Sequence, residues 1–129
     1  MNHNLQTGKI GEQYAEQFLA SQNYLILTKN FHSRFGEIDI IGIDQSTNTL
    51  VFFEVKTRIS ENFGQPEDSF TYKKQSRMLK TIHHYYQLHK NLHTKWLKPC
   101  WRIDLITIKL SRQFKLLEIR HYKNLSYGN

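Results

Sequence analysis

An α/β domain built on a mixed sheet is predicted by three features of the chain: helical apolar spacing in two places, five short runs rich in β-branched and aromatic residues, and the order in which these alternate. The order is helix, three strands, helix, strand, strand. Sequential strands pair as neighbours, and a crossover helix returns the chain to the sheet, so the sheet is mixed and the helices lie against it.

Thr7 reads as an N-cap, and Ile10, Tyr14, Phe18 and Leu19 recur at helical spacing until Ser21–Asn23, which gives a first helix of about four turns after Thr7. Strands follow at Tyr24–Asn30, Glu37–Ile43 and Thr49–Thr57, with polar turns between them. Ile59–Ser69 is a loop, and from near Thr71 the residues Met78, Leu79, Ile82, Tyr85 and Tyr86 mark a second helix whose other faces carry Lys73, Lys74, Arg77 and Lys80. "WRIDLITIKL" from Trp101 and "FKLLEIRHY" from Phe114 close the sheet. No linker or repeat interrupts residues 8–125, so one domain is expected there, with residues 1–7 and 126–129 as flexible ends.

At 129 residues and 39% hydrophobic, the chain can fill one core but not two. Eighteen lysines and arginines against 11 acidic residues leave a formal charge of +7, which favours a polyanionic partner. No apolar run reaches the length of roughly 18 residues that a spanning helix needs, and "MNHNLQTGKIGEQ" lacks the order of a signal peptide, so a cytoplasmic protein with no membrane partner is expected. The lone Cys100 has no disulfide or thiolate-metal partner and reads as a small buried filler.

The chemistry concentrates in "GEIDIIGIDQSTNTLVFFEVKTR", Gly36–Arg58, where Asp39, Glu54 and Lys56 interrupt two apolar strands. If Gln45–Asn48 form the turn, Asp44 pairs with Thr49, Ile41 with Phe52, Asp39 with Glu54 and Glu37 with Lys56, and the charges share one face. Two carboxylates about 5 Å apart repel by roughly 3 kcal/mol at an effective dielectric near 20. A cation should compensate, and a Mg²⁺ ion held through one or two carboxylates, with substrate phosphate, is a recurring solution. An ion-pair ladder with Glu37 against Lys56 is the alternative that spacing alone leaves open.

The stretches "GKIGEQYAEQFL", "RFGEIDII", "VFFEVKTR", "FGQP" and "KKQSR" together resemble the YraN family, a branch of the restriction endonuclease-like PD-(D/E)XK superfamily similar to Holliday junction resolvases; the likeness runs from Gly8 to about Asn124. That resemblance implies a three-layer α/β/α core in the order αβββαβ around a mixed central sheet. It implies metal binding by Asp39, Glu54 and the Val55 carbonyl, with Mg²⁺ or Mn²⁺ as the ion, Lys56 as the catalytic lysine, and Glu12 as a helical glutamate pointing into the metal site. Ile38 stands where the wider superfamily often has proline, and His32 where relatives often carry arginine.

Arg34, Arg58, Lys73, Lys74, Gln75 and Arg77 flank this site in sequence and are the candidates for holding nucleic acid, expected to be double-stranded or branched DNA. A homodimer would supply the two sites that cutting two strands needs. His89 and His93 are spaced to share an ion, but no third ligand has matching context; Tyr85, Tyr86, Trp96 and Trp101 are read as core. The expected function is a Mg²⁺-dependent nuclease-like protein hydrolysing DNA phosphodiesters; the alternatives are a catalytically idle nucleic-acid-binding module and an interaction subunit of a repair or replication assembly.

Overall fold

The computed structural model describes residues 3–60, 72–89 and 101–125. Cys100, His93, Trp96, Thr71 and most of the expected loop at Ile59–Ser69 lie outside them. Helix α1 spans His3–Ser21, strands β1 Tyr24–Ser33, β2 Gly36–Asp44 and β3 Thr49–Ile59, helix α2 Tyr72–His89, and strands β4 Trp101–Leu110 and β5 Leu116–Tyr122. The described residues are thus α/β, with two helices and a five-stranded sheet in the order β1-β2-β3-β4-β5. Only β3 and β4, joined through α2, run parallel; the other neighbours are antiparallel.

Each helix covers one face, and the alternation of strand side chains sorts the core accordingly. Ala15 and Leu19 of α1 pack with Tyr24, Ile40, Val51, Phe53, Val55, Ile106 and Ile108. On the other face Met78, Ile82 and Tyr85 of α2 pack with Ile38, Ile41, Phe52, Ile103 and Leu105. Tyr85 is buried among aromatics, edge-on to Phe31 and Phe52, while Tyr86 and Trp101 lie against the same cluster. No described helix is long and apolar enough to cross a membrane.

One expectation changes. The first helix starts at His3, so Thr7 is a buried residue inside it rather than its cap; "HNLQ" contains no proline or glycine to stop a helix from extending toward the N-terminus. The close approach of α1 to the sheet is made by Gly11. A Cβ at Gly11 would overlap the Thr57 side chain on β3, whereas one at Gly8 would meet nothing. Gly11, Ala15 and Leu19, four apart, form the buried stripe.

Candidate functional site

The β2–β3 hairpin has the register that its sequence predicts from Asp44↔Thr49 as far as Ile40↔Phe53, and there the ladder ends. Beyond it the strands part. Ile38 and Ile40, both about 1% exposed, belong to the cores on opposite faces of the sheet. Strict alternation would put them on one face, so β2 twists sharply at Asp39. The pairings expected beyond Ile40, Asp39 with Glu54 and Glu37 with Lys56, are therefore absent from the ladder. Glu37 faces His32 on β1, with His32 Nδ1 3.1 Å from Glu37 Oε2, and the Lys56 ammonium lies 3.5 Å from Glu54 Oε1.

Asp39 substitutes for the missing ladder bond. The Val55 N–H donates to Asp39 Oδ2 at 2.7 Å, a side-chain acceptor where a strand carbonyl would otherwise sit. In an extended strand a residue's N–H and C=O leave on the same side, so the Val55 carbonyl also faces the β2 edge. Asp39 is pushed up to about 8 from its ordinary 3.8, chiefly by burial and next by the Glu54 carboxylate, with Glu12 and Glu37 adding to the effect and the Val55 N–H opposing it. Glu12 is likewise raised, first by burial and then by Glu37 and Glu54. Four carboxylates from α1, β2 and β3 thus sense one another around the point where β2 leaves β3.

A cleft of about 570 Å³ opens here, lined by Ser33, Arg34, Phe35, Gly36, Glu37, Asp39, Glu54, Lys56, Lys74, Arg77, Met78 and Thr81. Of the predicted site residues it gathers Asp39, Glu54, Lys56, Arg34, Lys74 and Arg77. Glu12 does not line it; it acts from the helix on the other face. Lys73 is exposed and Gln75 half-buried, and neither lines the cleft. Arg58 is half-buried, with its Nη1 3.5 Å from the Thr57 carbonyl, and close enough to Lys74 to influence it. Lys74 is easier to deprotonate than an ordinary lysine, first because its side chain meets that of Lys56 and then because of burial. Sequence spacing contains no sign of this lysine pair, since it joins α2 to β3. Ser33, Phe35, Gly36, Met78 and Thr81 were likewise not among the predicted residues.

Among the described residues, no three His, Cys, Asp or Glu side chains are grouped tightly enough to hold a metal ion as they stand. Mg²⁺ asks for less: hard oxygen donors, and only one or two carboxylates, the rest of its shell being filled by water and substrate. Asp39, raised in proton affinity, and Glu54, close enough to act on it, together with a carbonyl on the same edge, fit that requirement by chemistry.

A second polar cluster lies beneath the C-terminal part of α1. Asp104, 0% exposed, accepts from Arg102 Nε at 2.9 Å and from the Asn124 N–H at 2.9 Å, and His121 Nε2 lies 2.7 Å from its other oxygen. Arg102 also reaches Asp44 at 3.0 Å and donates to the Tyr24 hydroxyl at 2.8 Å. Asp44 is lowered to about 2: bonds from Ser46 and Arg102 outweigh the burial that is the largest single influence on it. The Arg-x-Asp of "WRIDL" carried the same signal as Glu-x-Lys in β3, charges recurring on one strand face within an apolar run.

Residues 11–108 match the uncharacterised protein family UPF0102. A UPF0102 protein of Herpetosiphon aurantiacus is 40% identical over 119 residues, 92% of each chain. One from Dictyoglomus turgidum is 36% identical over 122 residues, 95% of this chain and 98% of its own. Another from Clostridium botulinum is 36% identical over 121 residues, 94% of each. The match spans the helix that carries Glu12, the hairpin that carries Asp39 and Glu54, and the strand that carries Asp104. The chain belongs to the uncharacterised protein family UPF0102, which is the YraN family.

Proposed function

We propose that the chain is a Mg²⁺-dependent nuclease-like protein on a restriction endonuclease-like core, hydrolysing DNA phosphodiesters. One observation carries the reading: in a single cleft, the acids Asp39 and Glu54 meet the amines Lys56 and Lys74, and Asp39 holds its proton far above the usual carboxylate range. Structural ion pairs lower a carboxyl group's proton affinity; this one is raised, first by burial and then by the acids beside it.

Asp39, Glu54 and the Val55 carbonyl would hold Mg²⁺, with Glu12 supporting from α1; when bound, the ion supplies Lewis-acid neutralisation of phosphoryl charge. The chain's own groups do the remainder. Lys56, 3.5 Å from Glu54, stands where an ammonium can orient an attacking water and steady charge on the phosphoryl oxygens. Lys56 beside Lys74 makes the Lys74 ammonium easier to deprotonate than an ordinary one. Arg77 lines the same cleft and would hold a flanking phosphate, with Arg34 on the rim and Arg58 near Lys74, and the formal charge of +7 on the chain favours a polyanion.

The test incubates the purified chain and Glu54→Ala with linear, flapped, four-way and single-stranded DNA and with RNA, in Mg²⁺ or Mn²⁺. Cleavage should require metal and fall by about 100-fold or more in Glu54→Ala, while DNA affinity stays equal or rises because a repelling carboxylate is gone. Equal cleavage by both chains would overturn the mechanism. Calorimetric Mg²⁺ titration separates an enzyme from an idle nucleic-acid platform, since only the former should show heat that Glu54→Ala removes.

A further inference from the structure

The turn joining β1 to β2 consists of Arg34 and Phe35 alone, between the paired residues Ser33 and Gly36. It is tied down from within. The Phe35 N–H donates to Ser33 Oγ at 3.0 Å, and Ser33 Oγ donates to the Gly36 carbonyl at 3.3 Å. Gly36 has φ +146°, a value that a side chain would strain, and a Cβ there would stand 3.4 Å from Thr81 Oγ1 on α2. The tip is therefore a short, rigid element braced against α2 at the rim of the cleft.

What the tip presents is planar. The Arg34 guanidinium lies over the Phe35 ring, 4.9 Å from its centroid, and the ring meets His84 edge-on at 6.0 Å. Arg34 is exposed, and among the described residues no carboxylate pairs with it. Its charge and flat face are thus turned to solvent on an aromatic support, in the same cleft as Asp39 and Glu54. Guanidinium planes and aromatic rings are the surfaces on which unstacked nucleobases settle. A phosphate, by contrast, needs charge but no aromatic ring.

Glu54 and Lys56 lie deeper than the exposed Arg34: their side chains are only 20% and 18% exposed. A strand whose base is still stacked within a duplex cannot bring its phosphate down to them and also place that base on the rim. An unpaired nucleotide can do both. We infer that the Arg34–Phe35 tip is a stacking subsite for one unpaired nucleobase, so that the preferred substrate class is nucleic acid with an unpaired nucleotide beside the scissile bond. This rests on reading the cleft as a nucleic-acid site, but not on its being catalytically active.

The probe is a short DNA duplex carrying a fluorescent purine analogue, either fully paired or in a gap, titrated in EDTA at fixed salt so that no cleavage intervenes. The parent should bind the gapped probe about tenfold more tightly than the paired one and quench the analogue; Phe35→Leu should cut that preference to about twofold and lose the quenching, and Phe35→Tyr should keep both. Equal binding of the two probes by the parent, or an equal loss for both in a folded Phe35→Leu chain, would overturn the subsite and leave metal-dependent cleavage as a separate question. Gap preference and quenching alongside a Glu54→Ala chain that cleaves as well as the parent would keep the subsite while removing the nuclease reading. Failure of the parent to bind either probe would end both.

Discussion

Asp39 and Asp104 are the same side chain on strands of one sheet, and each accepts one backbone N–H, from Val55 at 2.7 Å and from Asn124 at 2.9 Å. Their proton affinities are displaced in opposite directions. Asp104 is lowered although burial works against it, because His121 and Arg102 bond it directly. Asp39 is raised to about 8 because Glu54, Glu12 and Glu37 add to the effect of burial. Burial pushes both upward, and the neighbours decide whether that push is reinforced or overturned. The chain carries the counter-charge for Asp104 within its own fold, whereas the charged groups that act most on Asp39 are other carboxylates.

The sharpest way to break this contrast is to remove the internally compensated acid. Asp104→Ala leaves His121 without its buried partner and Arg102 with Asp44 alone, and should cost about 3–5 kcal/mol in urea unfolding. Glu54→Gln, in the open cleft, should be neutral or slightly stabilising. If both cost the same, the distinction between the clusters fails.

The next effect concerns how closely α1 seats Glu12 beside the acids. Gly11→Ala should destabilise by about 1–3 kcal/mol as the new methyl group displaces the helix from Thr57. Gly8→Ala, three residues earlier in open space, should instead stabilise by roughly 0.5–1 kcal/mol through helix propensity. Thermal melts of the two variants read opposite signs.

The last effect is confined to a pH window, and its sign follows from linkage. Asp39, ordinarily at 3.8 and about 8 when folded, binds its proton more tightly in the native chain, so the stability that this proton contributes is complete below about pH 4 and lost as pH rises through about 8. Asp39→Asn, which keeps an acceptor for the Val55 N–H, should match the metal-free parent near pH 4 and exceed it by roughly 2 kcal/mol above pH 8. Asp44, at about 2, runs the other way: its contribution is present above 3.8 and lost as pH falls toward 2. Melts of the metal-free chains across this range should show both arms; a parent whose advantage over Asp39→Asn grows with pH would contradict the assignment.

Much of the cleft was legible because it is local. The register from Asp44↔Thr49 to Ile40↔Phe53 follows from a turn and an apolar alternation within one hairpin, and it brings Asp39 close to Glu54. What sequence could not give is where that alternation stops. The twist at Asp39 depends on Ile38 finding α2 while Ile40 finds α1, a choice made by packing against helices distant in the chain. The Arg34–Phe35 turn was hidden for a related reason: neither residue is a turn former, and Gly36 after them carries the unusual backbone angle. The cluster around Asp104 needs Tyr24, Arg102 and His121 together, and no spacing rule links positions so far apart.

The bond from the Val55 amide to Asp39 has a consequence for anyone dissecting this chain by substitution. Alanine at 39 would strip out a chemical group and, in the same stroke, unfasten the seam between two strands, so a dead variant could not say which loss killed it. Among the described residues the Glu54 side chain meets the Lys56 ammonium and no strand amide, so a change there leaves the seam fastened and asks its question of charge alone.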